Sequence, residues 1–441
     1  MERYLLKDLV EWKNKKYRKP LILKGVRQVG KTWLLKEFGI KFYDNIAYFN
    51  FEESKELTDY FKTTKDVKRI LQNLALINGK PILPEKTLII FDEIQESNDA
   101  LNTLKYFYEN APEYHIVCAG SLLGIALSKP SSFPVGKVEL VNIMPMTFTE
   151  FLMASGDGNL IEYIHNINAI EPIPDIFFNP LYEKLKIYHM TGGMPEPVRV
   201  WTENNDISVV QNLLRDILQG YELDFSKHIS AQNIAKLNLI WSSIPSQLAR
   251  ENKKFIYNIV KEGARAREYE DALVWLNNAG MVYKIYRITK PGLPLSTYDD
   301  LSAFKLYTVD VGLLRMLSKL DSSAFKEGNR LFTEFKGALA ENFALQSIVA
   351  RFNVLPRYWT SKAKAEVDFI LQHFNDIYPI EVKSSENVKS RSLRMYINKY
   401  KPKFGIRLSL RNLKYDNDIL NIPLFLTEYI DKFINLVKQQ F

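Results

Sequence analysis

Two groups of residues in this 441-residue chain have types and spacing that suit them to chemistry. The first is Gly25-Val26-Arg27-Gln28-Val29-Gly30-Lys31-Thr32, which fits the pattern G-x-x-x-x-G-K-[ST]. Glycines in such a run let the backbone curl until its N–H groups converge on phosphate oxygens, and the positive end of a following helix adds to the pull. Lys31 would reach the β and γ phosphates of a nucleotide, and the Thr32 hydroxyl would ligate Mg²⁺. Trp33, the next residue, completes the expected nucleotide-contacting set. About sixty residues later Leu88-Ile89-Ile90-Phe91 runs into Asp92-Glu93, two carboxylates at the end of an apolar segment. Asp92 would hold Mg²⁺ through its water shell, and Glu93 would orient or deprotonate an attacking water. Ser121 ends a further apolar run. It would sense the γ-phosphate, cap a helix beginning at Leu122, or do both.

The second group lies near the other end. Glu366 and Asp368 alternate with apolar neighbours, as do Glu381 and Lys383, so each pair shares one face of a strand. Asp368 and Glu381 would hold a divalent ion through hard oxygen ligands, with Glu341 completing the shell from a helix. Lys383 would orient or activate water beside a scissile phosphate. The plainer alternative is a pair of solvated strands with surface charge. Against it, these carboxylates interrupt segments that are apolar on both sides, where a charge needs a partner.

The elements that must position these groups follow from periodicity. Residues 21–23, entered through Pro20, read as a buried strand, and residues 33–38, stopped by Gly39, as a helix. Strands are expected at 46–51, 87–92, 114–119 and 138–143, with helices at 56–78 and 100–110. Alternating strands and helices imply an α/β domain with a parallel sheet and the ligand at the carboxyl ends of its strands. Helices at 181–190 and 211–221 follow, then a helical run from 234 and an alternating strand at 281–288, with residues 305–310 closing the module. Helix, helix and β-ribbon are the plan of a winged helix. Arg265 and Arg267 would let such a module touch DNA, and an interdomain hinge is the favoured alternative. A helix at 334–351, strands at 354–360, 365–371 and 377–383, and a helix at 388–401 complete the expectation.

Composition sets the frame. A chain of this length exceeds one hydrophobic core. No apolar run approaches the length of a bilayer span, and Met1 to Asp8 mixes charge into an amphipathic pattern unlike a leader. Cys118 is the lone cysteine and sits in an apolar run, which excludes a disulfide framework and a thiolate metal site. The five histidines have no ligand spacing. A cytoplasmic protein with no membrane partner is expected. The formal charge is +8, and residues 321–441 carry nineteen Lys/Arg against thirteen Asp/Glu. From Lys389 to Lys414 nine basic residues occur without an acid, interleaved with Tyr396, Tyr400 and Phe404. That pattern suits tracking of a nucleic-acid backbone.

The motifs GVRQVGKT, LIIFDEIQ, the strand ending AGS, PMTFTEF, TGGMPEPV, EVDFIL and IEVKSS resemble those of prokaryotic AAA-type P-loop ATPases. These carry a helical lid, a winged helix and a C-terminal PD-(D/E)xK nuclease-like domain. The similarity runs from about residue 20 to residue 385, most of the chain. It implies four parts: an ATPase core at 1–155, a lid at 156–230, a winged helix at 231–320 and a restriction-endonuclease-like α/β domain at 321–441. It also implies that Gly193 and Pro195 pack over the adenine. The sequence departs from the family at Gly136-Lys137, where members tend to have Gly-Arg, so an arginine finger is not supplied there. The expectation is an ATP- and Mg²⁺-dependent ATPase whose nucleotide state positions a nuclease-like, nucleic-acid-binding domain. Whether that domain cuts, and whether the chain forms a homo-oligomer, are left open. The alternative is a nucleotide-controlled switch or scaffold that binds a protein partner and cuts nothing.

Overall fold

Short apolar runs punctuated by glycine and amphipathic helices build the first sheet. Its strands are β1 (Leu21–Lys24), β2 (Asn45–Asn50), β3 (Thr87–Asp92), β4 (His115–Gly120) and β5 (Glu139–Asn142). The computed structural model describes residues 1–121, 134, 136–228, 231–320, 330–361, 365–384 and 390–440. All five strands are parallel, in the order β2-β3-β4-β1-β5. Residues of β3 and β4 are buried throughout, as near-continuous apolar runs in a parallel sheet require. Placing β4 between β1 and β3 brings three carboxyl ends side by side: the phosphate-loop strand, the strand ending in Ser121 and the strand ending in Asp92. The helix expected at 56–78 is two helices, Lys55–Thr63 and Val67–Asn78. The Asp66 side chain accepts from the Lys68 N–H and caps the second, a local signal that restarts the helix.

The described chain separates into two compact units. One comprises Met1–Met144 with Asn278–Met281, and the other Pro145–Asn277 with Val282–Phe441. The expected lid, winged-helix and nuclease-like segments therefore all fall chiefly within the second unit.

That unit is a helical array joined to an eight-stranded mixed sheet. The strands are β6 (Val282–Ile288), β7 (Asp299–Thr308), β8 (Arg357–Thr360), β9 (Glu366–His373), β10 (Asp376–Lys383), β11 (Gly405–Ser409), β12 (Lys414–Asp416) and β13 (Ile419–Pro423). Their order is β12-β13-β11-β10-β9-β8-β6-β7. The ribbon expected of a winged helix is present as antiparallel β6–β7, yet it is not a free wing. Arg287 and Ile288 of β6 pair in parallel with Tyr358 and Trp359 of β8, so the ribbon and the C-terminal strands are one sheet. The helix Arg330–Phe352 carries Glu341 into the interior.

Close backbone approach fixes one junction in this unit. Gly192 has φ +68°, and a Cβ on Gly312 would lie 2.7 Å from the Gly192 Cα. Beside it the buried Asp310 carboxylate accepts the N–H groups of Gly193 (2.6 Å) and Leu313 (3.0 Å). No described helix is long and apolar enough to cross a membrane.

Candidate functional site

In the first unit the loop leaves β1 and enters the helix Lys31–Phe42 through Gly30, whose φ of 91° lies in the left-handed region. Gln28 is left-handed as well, with φ 64°. Gly25 is required for a different reason: a Cβ there would come within 2.5 Å of the Ile143 carbonyl oxygen. Val26 and Val29 bury their side chains and so contribute backbone only, while Trp33 stays exposed on the helix. Lys31 is 5 % exposed and donates from Nζ to the carbonyls of Gly25 (2.9 Å) and Val26 (3.0 Å), so its ammonium sits at the centre of the curl. Burial pushes its pKa down to about 8, against the pull of Glu93 and Asp92, and Arg27 lowers it further.

The acidic pair meets this loop. Thr32 Oγ1 donates to Asp92 Oδ2 at 2.8 Å, which is the contact expected of two residues sharing one cation. Glu93 adopts φ 48° and lies beside Ser121, whose Oγ donates to Glu93 Oε1 at 2.9 Å. Gln95 Nε2 adds a second donor to the same carboxylate at 2.6 Å. Lys31, Thr32, Asp92, Glu93 and Ser121 are thus gathered at the carboxyl ends of β1, β3 and β4. The reading of Ser121 as a cap concerns a helix beginning at Leu122, which lies outside the described residues. Lys137 is ion-paired with Glu109 at 3.0 Å, both largely exposed, a contact worth little.

Two contributors escaped sequence reasoning. Tyr48 of β2 donates its phenol to Asp92 Oδ2 at 2.8 Å, beside Thr32. Arg3 is buried, and its guanidinium donates to the carbonyls of Val29 (3.1 Å) and Met144 (2.6 Å). It therefore grips the loop between its two left-handed residues. Strand alternation could have nominated Tyr48; nothing in the charged start of the chain singles out Arg3.

The second unit holds the other candidate centre. Asp368 on β9 accepts the Val382 N–H of β10 at 2.8 Å, and Lys383 Nζ lies 3.2 Å from Glu381 Oε1. Glu381 is buried, and its Oε2 has no hydrogen-bond partner. Glu341 is fully engaged: Lys253 pairs with Oε1, and the Tyr307 hydroxyl donates to Oε2 at 3.1 Å. Glu366 pairs with the wholly buried Lys305. Burial and the nearby Glu341 carboxylate push the Asp368 pKa up to about 7, Lys305 and Lys253 opposing. Burial also lowers Lys383, but Glu381 and Asp368 outweigh it and hold the ammonium charged, which suits it to electrostatic duty rather than to taking a proton.

No three His, Cys, Asp or Glu side chains among the described residues are grouped to hold a metal ion. Lys253 and the Tyr307 hydroxyl hold the two Glu341 oxygens, the Val382 N–H one oxygen of Asp368 and Lys383 one oxygen of Glu381, whose other oxygen is unpartnered. Gly193, expected beside adenine, donates its N–H to Asp310, and its carbonyl accepts from the Met146 N–H, so both backbone groups serve the interior of the second unit. Pro195 opens the helix Pro195–Asn204, the ordinary place for a proline. In the basic stretch, Tyr396 and Phe404 are core residues and offer no face for base stacking. Arg391, Arg394, Lys399, Lys401, Arg411 and Lys414 remain exposed.

Residues 17–152 match the family model described as an AAA domain. Residues 182–324 and 336–425 match two domains of unknown function, DUF8612 and DUF4143. The first unit therefore contains an AAA-type P-loop domain. No match was found among curated proteins. Among solved structures, the chain is similar to the Walker-type ATPase PABY2304 of Pyrococcus abyssi at 14% identity. The match covers 72% of this chain and 95% of that one, with a TM-score of 0.45. It is also similar to the Holliday junction branch migration motor RuvB of Thermotoga maritima, at 14% identity over 64% and 89% with a TM-score of 0.31. A third is the ORC1 protein of Aeropyrum pernix, solved in complex with DNA, at 14% identity over 74% and 95% with a TM-score of 0.30.

Proposed function

We propose that the chain binds and hydrolyses ATP with Mg²⁺, and that its nucleotide state positions a nuclease-like, nucleic-acid-binding domain in its C-terminal part. The observation that carries the first half is the convergence of Lys31, Thr32, Asp92, Glu93 and Ser121 on one end of a parallel sheet. The backbone N–H groups of the loop bind the phosphates, and Lys31 supplies a charge directed at the β and γ oxygens. Thr32 and Asp92, already in contact, are the residues that would hold Mg²⁺, which neutralises charge on the phosphates. Glu93, held by Ser121 and Gln95, takes the proton of the attacking water.

Support for nucleic acid comes from the exposed arginines and lysines between 391 and 414, which offer charge to a phosphate backbone and leave sequence readout to other features. Lysine pairing at Glu341 and Glu366 favours the second reading, a nucleotide-controlled switch or scaffold that binds a protein partner and cuts nothing. No catalytic step is assigned to its acidic centre.

Steady-state hydrolysis by the purified full chain tests the proposal. Glu93→Gln should retain ATP while its kcat falls by about 10²–10⁴-fold. Wild-type turnover no higher than that of Lys31→Ala would refute the ATPase reading. Incubation with plasmid and Mg²⁺ or Mn²⁺, with Asp368→Ala as control, separates the two readings of the C-terminal domain.

A further inference from the structure

Four carboxylates and three ammonium groups meet around Asp368 in the second unit. Glu341, Glu366, Asp368 and Glu381 supply the negative charge, and Lys253, Lys305 and Lys383 the positive. Four of these groups, Glu366, Asp368, Glu381 and Lys383, come from β9 and β10, as a metal-binding hairpin would provide. Lys253 does not: it belongs to the segment between the helices Ala231–Leu248 and Tyr257–Val260.

A buried carboxylate cluster needs compensating positive charge, and a hard divalent cation or the chain's own ammonium groups can supply it. The two are not additive. A divalent ion placed against Glu341 would lie within a few ångströms of the Lys253 nitrogen, where like charges in a poorly solvated site repel strongly. The centre nonetheless keeps the character of a cation site. The Glu381 Oε2 atom is buried and unpartnered, and the side chain is 2 % exposed.

We propose that Lys253 is a tethered counter-ion that competes with a hard divalent cation for Glu341, so that the acidic centre takes up metal only when the ammonium leaves. The proposal rests on the reading of Asp368 and Glu381 as a nuclease-like centre. Lys253 is the group able to leave. Its side chain retains 13 % exposure and it lies outside any strand, whereas Lys305 is wholly buried on β7. With Lys253 in place, Glu341 has one oxygen on the ammonium and the other on Tyr307. With Lys253 gone, Glu341 Oε1 is the oxygen that a cation would gain, in addition to Glu381 Oε2, which already has no partner.

Mn²⁺ titration of the nucleotide-free full chain, followed by the electron paramagnetic resonance signal of the unbound ion, reads this competition without any activity assay. The relevant sites are those removed by Asp368→Asn. Lys253→Met should bind Mn²⁺ at these sites about tenfold or more tightly than wild type. Lys253→Gln carries the same expectation should the methionine variant fold poorly, and Lys253→Arg, which keeps the charge, should stay as weak as wild type. Equal Asp368-dependent affinity in wild type and Lys253→Met would overturn the competition and leave the metal centre standing. Absence of Asp368-dependent binding in every variant would overturn both.

Discussion

The phosphate loop and the acidic centre around Asp368 solve opposite electrostatic problems. In the loop, eight consecutive residues prepare a site for an anion, and the work is done by backbone geometry. Gly30 and Gln28 are left-handed, Gly25 makes room beside Ile143, and a single lysine caps the curl. In the acidic centre, charged side chains are collected from five separate parts of the second unit, and they neutralise one another. The first arrangement gathers a curled backbone and one ammonium at the end of a sheet, with Asp92 and Glu93 beside them, as a site for a nucleotide and its cation would. The second closes its own charge, and any cation entering it must displace a partner. Contiguous motifs therefore say more about ligands than dispersed ones do, because the dispersed residues have room to acquire partners from elsewhere in the fold.

The comparison can be sharpened first by breaking the second unit without touching the loop. Asp310→Ala leaves the buried N–H groups of Gly193 and Leu313 without their acceptor. It should cost about 3 kcal/mol of stability, read by urea denaturation. ATP affinity of the folded variant should be unchanged, and a parallel loss of both would dissolve the distinction between the two regions.

A smaller effect comes from pH. His189, packed 5.2 Å from the Phe343 ring, has its pKa pushed down to about 3 by burial, with Lys336 adding to the shift. The unfolded chain takes up this proton near pH 6.5, so stability present above that pH is lost as pH falls toward 3. The loss should reach about 2 kcal/mol at pH 5. His189→Leu should flatten the pH slope of denaturation by that amount, whatever it does to absolute stability. An unchanged slope would remove the histidine from the account.

The smallest predicted change lies in the loop. Arg3→Met removes the grip on the Val29 carbonyl and should weaken ATP binding by about 1 kcal/mol, roughly fivefold, by calorimetry. Binding indifferent to this substitution would mean that the loop holds its own shape.

Much of the first unit was legible because its signals are local. Apolar runs named β1, β3 and β4, and the acids after β3 fell where the loop needs them. The sheet order, which sets Ser121 beside Glu93, is a long-range property that no local pattern carries. In the second unit the acidic residues were readable from alternation on β9 and β10. Their lysine partners were not: Lys253 and Lys305 lie far away in sequence, in segments that read as parts of a winged helix. The aromatic residues of the basic stretch misled for a related reason. Tyr396 and Phe404 occur among lysines and arginines, but helix periodicity turns Tyr396 inward, and Phe404, just before β11, packs against the rings of Tyr378 and Tyr415. Gly193 likewise sits in a turn motif that carries no trace of its tie to Asp310.

Calorimetric titration of ATP with Mg²⁺ into wild type and Lys31→Ala is the most direct measurement. If the curled backbone and its lysine form the triphosphate site, wild type binds one ATP and the variant loses about 100-fold or more in affinity, near 2.7 kcal/mol. Equal affinity in the two proteins would contradict the account, since the nucleotide would then be held somewhere other than residues 25–32.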